Sequence, residues 1–151
     1  MKTIFACFIL ITISIAIASC SFLVDFGVVN KSDKPIRISY VLKTKYDEWS
    51  KPRISTISDF TNNAHISISG PIADHEYDQE TRMITLELAT GMVVIIGSMG
   101  NYIKYYEGRE DQFRADELSI NTKSGSILYI GDELLKAFKK VNKYSFAISI
   151  K

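Results

Sequence analysis

The sequence predicts an all-β domain: a two-sheet β-sandwich, immunoglobulin-like or transthyretin-like, with one short helix near the C-terminus and a hydrophobic leader in front. Three observations predict it. Apolar and polar residues alternate with period two through most of the chain beyond residue 23, as in strands that bury one face. Clusters of Gly, Pro, Asn and Asp punctuate these runs. Helical spacing stands out in one place only, near residue 134. With 151 residues, 46% of them apolar, the chain is sized for one domain around one core.

In chain order, Met1-Lys2 gives a minimal positive start, and Ile4 to Ala18 forms an apolar run broken only by Thr12 and Ser14. About 15 residues at about 1.5 Å each reach roughly 22 Å, short of the ~30 Å hydrocarbon slab, as suits a cleaved export signal. The chain therefore divides into a leader, residues 1–19, and a domain, residues 20–151. Of the two cysteines, Cys7 falls in the leader, so the processed chain has no intramolecular disulfide.

Behind the leader, Val24, Phe26 and Val28 alternate with Asp25 and Gly27, and a dense turn signal follows from Asn30 to Pro35. Ile36, Ile38, Tyr40 and Leu42 resume the alternation, which reads as a first hairpin. Residues 44 to 63, rich in Ser, Thr, Asp and Asn, read as the longest irregular stretch. Ile66 and Ile68 mark a strand that ends at Gly70-Pro71. Ile84, Leu86 and Leu88 mark another, and Thr90-Gly91 turns the chain into the apolar run Met92 to Ile96, suited to a central strand. Further strands are expected at Asn101 to Tyr106, Leu118 to Thr122, Ile127 to Ile130 and Tyr144 to Ile150. Between the last two, Gly131-Asp132 begins a helix in which Leu134, Leu135, Phe138 and Val141 recur at helical spacing, with Lys136, Lys139 and Lys140 toward its C-terminal half.

Charge narrows the function classes. The chain has 18 basic and 17 acidic side chains, and Lys2 is the only charge in residues 1–19, which leaves 17 of each sign in the processed chain. That balance speaks against a general nucleic-acid binder. There is no Gly-x-Ser-x-Gly elbow and no Gly-rich phosphate loop, so neither an enzyme nor a cofactor is expected. Asp74-His75-Glu76-Tyr77-Asp78-Gln79-Glu80 is the densest polar cluster; it lacks the spacing of a calcium loop, so the expectation is a solvated loop and no metal. Asp74, His75 and Glu76 are nonetheless the one group that could serve acid-base chemistry. The remaining histidine, His65, is expected on the polar face of a strand.

The candidate contact residues are aromatic. Tyr102, Lys104 and Tyr106 fall on one face of a predicted strand, and Trp49 lies in the long irregular stretch; aromatic side chains of this kind suit a protein or glycan partner. Asn30-Lys31-Ser32 is also a glycosylation sequon, relevant to a eukaryotic secretory route.

Ile17-Ala18-Ser19-Cys20 resembles the lipobox of bacterial lipoprotein precursors, in which an aliphatic residue and two small ones precede a cysteine. Ile17 and Ser19 are variants of the commonest pattern. The resemblance covers about 20 residues and implies a diacylglyceryl group on the sulfur of Cys20, cleavage before it and acylation of the new amine; two or three chains anchor durably, at about 0.8 kcal/mol per buried methylene. It implies a place in the cell envelope, and the outer membrane where there are two, since Ser21 is not the aspartate of inner-membrane retention. Two alternatives compete at this segment: Ala16-Ile17-Ala18 is an ordinary cleavage site that would release a soluble protein, and Ile4 to Val24 could remain as an uncleaved anchor. The function expected is a non-catalytic binding or scaffold module on the membrane. The alternatives are an inhibitor or immunity lipoprotein that blocks an envelope-targeting enzyme, and a hydrolase of envelope polymers.

Overall fold

The computed structural model describes residues 23–62, 69–100 and 113–151. Ten strands among them form two five-stranded sheets packed face to face, the two-sheet sandwich that the alternation predicts. They are β1 (Leu23–Asn30), β2 (Ile36–Leu42), β3 (Arg53–Thr56), β4 (Glu76–Asp78), β5 (Met83–Leu88), β6 (Met92–Gly100), β7 (Ala115–Thr122), β8 (Gly125–Ile130), β9 (Lys139–Asn142) and β10 (Ser145–Ile150). The first sheet runs β3-β6-β1-β10-β9 and the second β4-β5-β2-β7-β8. All pairs are antiparallel except β1 with β10, which run parallel from Asp25↔Ser145 to Asn30↔Ile150.

Between the sheets lies the main core. Val24, Phe26, Val28, Val94, Ile96, Ile148 and Ile150 come from the first sheet; Ile36, Ile38, Tyr40, Leu42, Ile84, Leu86, Leu88, Leu118 and Ile120 come from the second. These are the inward members of the period-two runs. Phe26 is the hub: its ring meets Phe113 edge-on at 5.1 Å and Phe138 at 5.3 Å, and stacks on Phe146 at 5.6 Å.

A second cluster covers the outer face of the first sheet. Helix α1 (Ile57–Asn62) lays Phe60 against Val29, Val93, Ile95 and Ala147. The close approach depends on Gly27, where a Cβ would stand 2.8 Å from Val93 and 3.1 Å from the Phe60 ring. The apolar run Met92 to Ile96 is thereby explained, since β6 buries side chains on both faces.

Several expectations are corrected. β1 and β2 are not a hairpin: they belong to different sheets, and the Asn30–Pro35 turn carries the chain from one sheet to the other. The β5–β6 turn crosses in the same way, with Gly91 at φ 77°, a conformation that favours glycine. Asn30 ties both crossings. Its amide nitrogen donates to Lys34 O at 2.8 Å and Leu88 O at 3.0 Å, its side-chain oxygen accepts from the Ser32 N–H and hydroxyl, and its carbonyl accepts from Gly91 N–H. The side chain is 0% exposed, which removes the sequon reading from the folded domain: both amide hydrogens are engaged internally.

Of the stretch from 44 to 63, the described residues 44–62 are ordered rather than irregular, holding a 3₁₀ turn (Glu48–Ser50), β3 and α1. Helix α2 (Asp132–Ala137) is shorter than its apolar spacing implied. It ends at Phe138, whose backbone is extended, and Val141 is exposed on strand β9. Leu134, Leu135 and Phe138 do plug the main core. Asp25, placed on a polar face by the alternation, is 1% exposed and accepts from Ser98 Oγ at 2.9 Å. The strands expected around Ile66 and at Asn101 to Tyr106 lie outside the described residues.

Candidate functional site

Two surface openings contain residues that the sequence singles out. The first is a cleft of about 270 Å³ lined by Leu23, Trp49, Ser98 and Arg114. Trp49 sits in the 3₁₀ turn and is 64% exposed. The turn is fastened from both sides. Asp47 N–H donates to Ser50 Oγ at 3.2 Å, and Ser50 Oγ donates to the Asp47 carboxylate at 2.8 Å. Arg114 Nη1 donates to both carboxylate oxygens of Asp47, at 2.7 and 2.8 Å. The Arg114 hydrogen bond holds the Asp47 carboxyl below the usual carboxylate range, with Ser50 adding to it against the opposing effect of burial. Glu48 is likewise lowered, chiefly by the Lys51 ammonium beside it. A rigid turn thus presents an indole to solvent, a side chain that offers a large apolar area with little conformational entropy to lose.

The second opening, about 380 Å³, lies on the outer face of the second sheet and is lined by Arg37, Asp74, His75, Glu76, Thr85, Leu86 and Glu87. Asp74, His75 and Glu76, expected as a solvated loop, border this common cleft. The ladder explains the rest: Arg37 is the cross-strand partner of Glu87, and Glu76 of Thr85. Opposite charges facing across adjacent strands stabilise a sheet modestly.

His75 is held at both ring nitrogens. Nδ1 lies 2.8 Å from Ala73 O, and Nε2 lies 2.6 Å from the Tyr46 hydroxyl. A carbonyl only accepts, so Nδ1 carries a hydrogen; in the neutral ring Nε2 then accepts from Tyr46 O–H. Tyr46 also stacks on Tyr77, with centroids 4.4 Å apart. Burial pushes the Tyr46 phenol above its usual value, with Glu48 and Tyr77 adding to the rise and Lys51 opposing it. The pair therefore keeps its phenol protonated through neutral pH and has no ring nitrogen directed at solvent. What this opening presents is a mixed-charge polar surface.

Among the described residues, no group of three or more His, Cys, Asp or Glu side chains could hold a metal ion, and no helix is long and apolar enough to cross a membrane. Cys20, His65, Tyr102, Lys104 and Tyr106 lie outside the described residues. Sequence reasoning missed the Asp47–Arg114 clamp and the Tyr46–His75 pair, because each joins residues 29 or more positions apart. No protein-family model matches the chain, and comparison with curated proteins and with solved structures finds none similar to it.

Proposed function

We propose that the chain is a membrane-anchored envelope lipoprotein whose β-sandwich acts as a non-catalytic binding or scaffold module for a protein or envelope component. Cys20 carries the lipid, and Trp49 marks the end of the domain that meets the partner. One juxtaposition carries this reading. Two residues, Ser21 and Phe22, separate Cys20 from Leu23, a reach of at most about 11 Å, and Leu23 lines the same cleft as the exposed Trp49. A tether this short presses one end of the sandwich against its membrane, and the clamped indole belongs to that end. The non-catalytic part is supported by His75, whose two nitrogens are both engaged within the fold.

Intact mass spectrometry of the mature chain, extracted from bacterial membranes with detergent, tests the tether. A chain beginning at Cys20 with diacylglyceryl and acyl additions is expected; an unmodified chain beginning at Ser19 overturns it. A photo-crosslinking residue at position 49 tests the contact in cells. A discrete adduct absent when the probe sits at Glu87 is expected, and equal labelling at both positions removes Trp49 from the binding role.

A further inference from the structure

Among the described residues the sandwich has four edge strands, and three of them are protected. β4 is three residues long and carries Glu76 and Asp78. β9 is four residues long and carries Lys139 and Lys140. β3 is covered by the segment beside it: Ile54 N–H donates to Pro71 O, Ala73 N–H donates to Pro52 O, and Arg53 bridges to Ile72. Short length, charge and covering are the devices that keep an edge from pairing with another strand.

Among the described residues, β8 has none of them. Its six residues, Gly-Ser-Ile-Leu-Tyr-Ile, include no charge and no proline, and Ile127, Leu128 and Ile130 are 39%, 52% and 53% exposed. On one side β8 pairs with β7 from Thr122↔Gly125 to Glu117↔Ile130; no described strand lies on the other. Gly131 N–H donates to Asp116 O, which continues this register. Bonding alternates along an antiparallel ladder, so Gly125, Ile127 and Tyr129 bond to β7. Ser126, Leu128 and Ile130 then direct their main-chain N–H and C=O groups to the open edge.

We propose that β8 is the interface of a homodimer, in which two copies pair antiparallel about a two-fold axis through Leu128 and join their second sheets into one. The occupant is a second copy because the strand complements itself. In this register Leu128 meets its own mate on the outer face, Ser126 pairs with Ile130 of the second copy, and Ile127 lies against Tyr129 of the second copy. The ends match in charge as well. Lys123, beyond one end of β8, comes opposite Glu133, beyond the other, and Asp132 lies next to it. All three are exposed, and no ion pair among the described residues engages them. Lys123 also approaches Lys34, and this neighbour lowers the Lys34 ammonium below the usual lysine range. Carboxylates from a second copy would relieve that crowding of like charges.

Cysteine cross-linking in the full chain tests the register. Cα atoms across a hydrogen-bonded antiparallel pair lie about 5.5 Å apart, within the span a disulfide bridges. Mild oxidation of bacterial membranes containing Leu128→Cys is expected to convert most of the monomer to a disulfide dimer. Glu87→Cys and the parental chain, which controls for Cys7 and Cys20, should give none. Lys123→Glu should lower the dimer yield severalfold, and adding Asp132→Lys with Glu133→Lys should restore it. Co-expressed Ser126→Cys and Ile130→Cys chains give an independent reading, a mixed dimer. Cross-linking at Leu128 no greater than at Glu87, an adduct of a mass other than two chains, or indifference to the charge reversals would each overturn the proposal.

Discussion

The two sheets differ in how many faces they bury, and the difference separates scaffold from surface. The first sheet is sandwiched between the main core and the α1 cluster around Phe60, so β6 and β1 have apolar contacts on both sides. The second sheet buries one face and turns the other, with Arg37, Ser39, Thr85, Glu87, Ser119 and Leu128, outward. One sheet therefore supplies rigidity, while the other supplies the polar cleft and the open β8 edge.

The strongest test of this contrast is Phe60→Ala. If the α1 cluster is a core in its own right, the loss is about 3–5 kcal/mol by chemical denaturation, comparable to Phe26→Ala. A loss below about 1 kcal/mol would reduce α1 to a surface decoration. Asn30→Ala removes the side chain that links β1 to the end of β5 and leaves Leu88 O buried without its donor. It should cost about 1–3 kcal/mol in the same assay. Gly27→Ala places a methyl against Val93 and Phe60, and overpacking of this kind costs about 1–3 kcal/mol. Glu87→Gln, on the outer face of the second sheet, should stay within about 0.5 kcal/mol. A larger loss would show the polar cleft to be part of the fold's stability.

The smallest effects come from pH, and their signs follow from the shifts. Asp47, Glu48 and Asp78 have depressed carboxyl values in the folded chain, so their contribution is present above about pH 4 and lost as pH falls. Tyr40 and Tyr46 have raised values, so the folded chain holds their protons longer than the unfolded one, and stability declines as pH rises above about 10. Melting temperatures across this range should form a plateau that falls at both ends. Asp47→Asn should flatten the acid side, and Tyr46→Phe the alkaline side.

Strands with one wet face were legible in the sequence, as β2 and β7 illustrate, because alternation records burial directly. Pairing was not. The turn at Asn30–Pro35 specifies a reversal of the chain but not whether the next strand joins the same sheet, a choice made by Asn30 contacts with Leu88 and Gly91 far along the chain. β3 and α1 hid in a polar stretch because each buries few side chains, chiefly Ser55 and Phe60. β9 was masked by helical spacing: Val141 follows Phe138 by three positions, yet pairing with β10 overrides that local pattern. Of the candidate sites, Trp49 was visible as an isolated aromatic. The cleft around His75 assembles across β2, β4 and β5 and has no signature in any one segment.

Trp49 has a spectroscopic consequence. It is the chain's single tryptophan, and it already faces water in the native state. Its emission should therefore resemble that of a free indole before and after unfolding, leaving the folding transition nearly silent to fluorescence. Whatever comes to cover this end of the molecule, lipid or protein, will shift the spectrum to the blue and shield the ring from a soluble quencher. The chain thus carries its own optical reporter of docking, one that folding does not confound.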